Sequence, residues 1–116
     1  MAIATTVQKN SLCTKYSTDN AYAALFTADP GGTGTVVGEV SGGAYARVLI
    51  AWGAASGGSI TGTATINVPA GTTIIFAGGC TAGTAAVSDL RDKTSITSQN
   101  FATAGTYALT ITFTES

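Results

Sequence analysis

Asp89 and Asp92 flank Arg91 and precede Lys93, and they are the only closely spaced carboxylates in this 116-residue chain. Such a pair could serve a glycosidase as acid and base, or hold Ca²⁺. With two cations beside them, the carboxylates read better as a solvated, salt-bridging turn. Arg47, two residues from Tyr45, could stack a base or a sugar; covering the tyrosine ring or pairing with Glu39 needs no ligand at all. Trp52 and the four tyrosines are what a glycan-binding face would use, although Trp52 shares its face of a strand with Val48 and Ile50 and is expected to be buried.

Beyond these residues chemistry is scarce. The chain has no His, which removes the commonest general base, the usual partner of a nucleophilic Ser or Cys, and the commonest metal ligand. Glycine pairs at 31–32, 42–43, 57–58 and 78–79 neither open a helix nor precede a Lys-Ser/Thr, so they read as turn glycines and not as phosphate loops. Lys9, Lys15, Arg47, Arg91 and Lys93 are scattered, and the net charge is −1. A polyanion needs clustered cations, so nucleic-acid binding is not expected. Cys13 and Cys80 stand 67 positions apart with no third cysteine, and they are expected to be small buried thiols and not a bridge. No cofactor and no metal site are expected.

The elements that would position these groups are short. Bulky Val, Ile, Leu and Phe number 24 of 116 residues, against 21 Thr, 20 Ala and 15 Gly. A thin core, a near-neutral balance and β-branched residues in alternation predict short strands joined by tight turns. Only 9% of residues are charged, where about a quarter is typical. A surface so weakly protected against association is expected to be covered by neighbouring subunits. No run approaches 18 apolar residues, and the first residues lack a basic segment followed by an apolar one, so neither a membrane span nor a secretory signal is expected.

Ile3, Val7, Leu12 and Tyr16 recur about once per helical turn behind Thr5 or Thr6, predicting a short N-terminal helix over residues 3–17. It is either a lid on the domain or an arm that docks on a neighbour. Strands are predicted at 21–27, 44–52, 59–68, 72–77 and 106–114, with one or two more between 80 and 100. Residues 33–43 form a long loop, and Gly78-Gly79 ends the strand before it. The expectation is an all-β fold, a small antiparallel β-sandwich of six to eight short strands, with residues 1–20 as an arm or helix and 21–116 as one domain.

Two stretches carry a family resemblance. Tyr22-Ala-Ala-Leu-Phe-Thr-Ala-Asp-Pro-Gly31, continuing through Glu39-Val-Ser-Gly-Gly-Ala-Tyr-Ala-Arg47 to Trp52-Gly-Ala-Ala55, is the first; Val68-Pro-Ala-Gly-Thr-Thr-Ile74 is the second. Over residues 20–80 the chain resembles small virion proteins of tailed bacteriophages, often labelled tail-fibre or minor tail proteins. The resemblance implies a non-enzymatic structural protein of the virion, assembled in the host cytoplasm and placed on the particle exterior. It would decorate the capsid or belong to the tail, with the major capsid protein or tail proteins as partners. Many copies or a symmetric homo-oligomer are expected, since small repeated contacts gain strength together. Candidate contact residues are Tyr16, the loop valines Val36, Val37 and Val40, and Tyr45, each of which could equally be local core. The competing reading is a carbohydrate-binding module for a host receptor.

Overall fold

The computed structural model describes residues 5–84 and 87–114. Helix α1 spans Thr6–Asp19; the strands are β1 (Tyr22–Phe26), β2 (Val48–Leu49), β3 (Ala51–Trp52), β4 (Ser59–Val68), β5 (Thr72–Cys80), β6 (Leu90–Phe101) and β7 (Gly105–Thr114). All pairings are antiparallel, in a four-stranded sheet of order β2-β1-β5-β6 and a three-stranded sheet of order β3-β4-β7. The expected fold class, an antiparallel β-sandwich with one N-terminal helix, is the one observed.

The helix begins where the Thr5 side chain, on extended backbone, accepts a hydrogen bond from the Gln8 N–H at 3.3 Å. It ends at Asn20, whose backbone N–H and side-chain Nδ2 both donate to the Tyr16 carbonyl. Cys13 is its one buried residue, and Val7 is exposed. Ile3 lies outside the described residues. Asn10 accepts a hydrogen bond from the Gly58 N–H at 2.9 Å, tying the helix to the turn before β4.

β4 alternates buried and exposed residues without a break, so Ile60, Ala64, Ile66 and Val68 enter the core while a threonine row faces out. β7 pairs with it over ten residues in continuous register, from Ser59 opposite Thr114 to Val68 opposite Gly105. The four-stranded sheet contributes Ala23, Leu25, Ile74, Ala77 and Phe101 to the same core. A second, smaller cluster joins Ala24, Phe26, Cys80 and Leu90. Both faces of β1 are therefore buried, as its unbroken apolar run predicts.

Three predicted features differ. The strand expected over 44–52 is two short ones, because the chain passes from one sheet to the other at Ile50, whose N–H bonds the Ala21 carbonyl while its side chain is buried. Gly62 makes that crossing possible: a Cβ there would lie 2.5 Å from Ile50 and 2.7 Å from the Trp52 ring. Gly78 and Gly79 do not end β5, which runs on to Cys80. They are glycines because neighbours press on the strand; a Cβ on Gly79 would sit 2.1 Å from the Asn20 side chain, and one on Gly78 2.6 Å from Leu90. Finally, the segment after Cys80 holds one long strand, β6, and Asp92 is part of it and not of a turn. Its irregular burial reflects two register shifts against β5, which erase the alternation that sequence reading depends on.

Candidate functional site

Arg47 is the organising residue. It follows the 33–43 loop and enters the protein just before β2, with its side chain fully buried. All five guanidinium donors are engaged. Nε and Nη2 meet Glu39 Oε2 and Oε1 at 2.9 Å each, Nη1 reaches Asp89 Oδ1 at 2.8 Å and the Ala82 carbonyl at 3.0 Å, and Nη2 also donates to the Val87 carbonyl at 2.8 Å. Asp89 accepts in turn from the Ala82 N–H. Tyr45 completes the group: its hydroxyl donates to Glu39 Oε2 at 2.7 Å and accepts from the Leu25 N–H at 3.2 Å.

The electrostatics follow from this packing. Burial opposes the Arg47 charge, but hydrogen bonds to Glu39 and Asp89 outweigh it and hold the guanidinium pKa above its ordinary value. Burial first, then the bond to Glu39, raises the Tyr45 hydroxyl. The Cys80 thiol is pushed up to about 12 by burial, with the nearby Arg47 charge pulling the other way. Such a thiol stays protonated and is a poor nucleophile. The cluster is a brace that fastens the 33–43 loop and the segment after β5 to the end of β1.

A second group forms where α1 meets the sandwich. Tyr16 stacks on Phe113 with ring centroids 4.0 Å apart and meets the Trp52 ring edge-on at 5.9 Å. Its hydroxyl donates to Asp92 Oδ2 at 2.6 Å, and burial together with that bond raises its pKa. The Trp52 indole N–H donates to the Asn20 carbonyl at 3.0 Å, so this half-buried ring already has partners along its edge and at its nitrogen. Beside the group a cleft of about 410 Å³ opens between the two sheets, lined by Gly78, Gly79, Asp92, Lys93, Thr110 and Thr112 among others.

The five candidate contact residues fall in different places. Tyr16 belongs to the aromatic group, Tyr45 to the Arg47 brace. Val40 is in the main core, its N–H bonded to the Leu25 carbonyl. Val36 packs on the smaller cluster, and Val37 is 64% exposed. Pairing of Arg47 with Glu39 was legible in the sequence; the share taken by Asp89 was not. Asp89 and Asp92 part company altogether, one to Arg47 and the other to Tyr16, while Lys93 pairs with Asp29. One signal was available: an arginine inside an otherwise apolar stretch of a charge-poor chain must bring its counter-charges with it.

Among the described residues no three His, Cys, Asp or Glu side chains converge as metal ligands, and no helix is long and apolar enough to cross a membrane. Fold and site together describe a small β-sandwich whose charged and aromatic groups hold its own loops and helix in place. Residues 6–112 match the family described as Podophage GP4 fiber I protein gp80, and the chain belongs to that family of phage fibre structural proteins. The match takes in the region of the first resemblance and extends it to α1, β6 and nearly all of β7. No curated protein and no solved structure is similar to the chain.

Proposed function

We propose that this protein is a non-enzymatic subunit on the exterior of the virion that acts by packing against other virion subunits, in several copies. The observation that carries the reading is the Arg47 brace: the most elaborate polar cluster among the described residues has all five guanidinium donors engaged by the chain's own groups. Rigid loops presented by such a brace suit a docking role. Within this reading the protein is one domain with α1 as its lid, and Val37 is the contact residue at the surface. Tyr16, Val36, Val40 and Tyr45 serve from beneath by fixing the helix and the loop. The fibre is the favoured location, in keeping with the family, ahead of a place decorating the capsid shell.

Quantitative mass spectrometry of purified particles tests this. Roughly a few tens of copies per particle or fewer is the expected result for a fibre. Abundance near that of the major shell protein moves the subunit to the capsid, and absence from particles overturns the reading.

A further inference from the structure

Sheet edges carry unpaired backbone N–H and C=O groups, and proteins that stay apart blunt them with charges, prolines, bulges or brevity. Among the described residues the two sheets have four edges, and three of them are blunted. β2 and β3 are two residues long, and β6 carries Arg91, Asp92 and Lys93 and two register shifts. The fourth edge, β7, is ten residues long, has no charged residue and no proline, and runs in unbroken register with β4. About half of its residues point their backbone groups away from β4.

We propose that β7 pairs antiparallel with β7 of a second copy of this chain, joining two three-stranded sheets into one of six. The strand is complementary to itself. A two-fold axis at Thr110 sets Thr110 against its own counterpart, Leu109 against Ile111, Ala108 against Thr112, Tyr107 against Phe113, and Thr106 against Thr114. Every pair then matches in kind, apolar or aromatic on the inner face and small or threonine on the outer, which is what stabilises cross-strand neighbours. Across such an axis the strand meets itself, residue i facing residue j and j facing i, so a strand of one charge would repel its copy, and β7 carries no charge. Threonine pairs of this sort already operate on the same face, where the Thr61 and Thr112 hydroxyls lie 3.1 Å apart across β4 and β7. Tyr107, Ile111 and Phe113 are only half-buried along the open edge, and the cleft between the sheets begins there. A second copy's strand would cover that apolar margin.

The pairing rests on the packing role proposed above, but the two can fail separately: a protein built into particles yet monomeric in solution sinks the pairing alone. The test is sedimentation equilibrium of the full chain, combined with oxidative cross-linking of Thr110→Cys. Opposed residues in antiparallel strands have Cα atoms about 4.5–5.5 Å apart, within disulfide reach, and both native thiols are buried. The expected result is a species of twice the chain mass, a covalent dimer for Thr110→Cys, and none for Thr106→Cys or Thr65→Cys. Thr110→Lys, an exposed substitution, should yield a monomer that keeps the wild-type circular-dichroism spectrum and melts without dependence on concentration, while Thr65→Lys on the central strand keeps the dimer. Wild-type monomer at all concentrations reached, a dimer that survives Thr110→Lys, or equal cross-linking through Thr65→Cys overturns the proposal.

Discussion

Arg47 and Glu39 meet in a bidentate pair, Nε to Oε2 and Nη2 to Oε1, both at 2.9 Å, with side-chain exposures of 0% and 4%. Two parallel bonds fix the guanidinium plane as well as its distance, so the far edge of Arg47 is aimed at Ala82, Val87 and Asp89. One ion pair thereby sets the path of two loops that are remote in sequence.

Removing one partner should therefore cost much more than the pair itself contributes. Arg47→Ala leaves Glu39 buried without its counter-charge and is expected to lower stability by about 3–5 kcal/mol. Arg47→Lys keeps the charge but loses the fork and two or more bonds, and should recover only part of the loss. Urea unfolding of the purified variants measures both.

Gly79→Ala should be among the most damaging of single-methyl additions. The new Cβ would meet Asn20 Oδ1 at 2.1 Å, and overpacking of this kind costs about 1–3 kcal/mol or more. Asn20→Gly in the same chain removes the obstruction, so the double variant is expected to melt above Gly79→Ala alone. If the two losses simply add, the collision is not the cause.

The chain's one tryptophan reports on the helix. Tyr16→Ala removes the ring that meets Trp52 and stacks on Phe113, and should shift Trp52 emission to the red as water reaches the indole. Tyr16→Phe keeps the ring and loses only the bond to Asp92. It should leave the emission in place and cost about 1–2 kcal/mol, the low end for a bond to a charged group because the site is exposed.

Alkali should weaken the fold from about pH 9 upward. The folded Cys80 pKa is raised from 9.0 to about 12. Unfolded chains therefore lose the thiol proton first, and its contribution is complete below pH 9 and declines through that window. The slope from this buried group is about 1.4 kcal/mol per pH unit. Tyr16 and Tyr45, raised from 10.0, begin to add to the decline as the pH nears 10 and add more above it. Stability at pH 9 and 10, measured for the wild type and for Cys80→Ala, should differ in slope: the variant falls less steeply over that interval.

How much of this was legible beforehand depended on how local the cause was. The alternation of β4 and β7, the unbroken apolar run of β1 and a threonine cap at the start of α1 are written in spacings of a few residues, because side-chain direction in a strand or helix follows the backbone period alone. So were the sparse charge and the absence of histidine, which directed attention to packing and away from catalysis. The tertiary structure decided everything that needed two distant segments to meet. Gly78 and Gly79 look like a strand terminator until Leu90 and Asn20 are seen to press on them. Asp89 and Asp92 look like neighbours until one turns to Arg47 and the other to Tyr16. The uncharged composition of β7 is plain in the sequence, but that β7 stands at an open sheet edge is settled by strand order, and strand order comes from which buried faces fit each other across the whole chain.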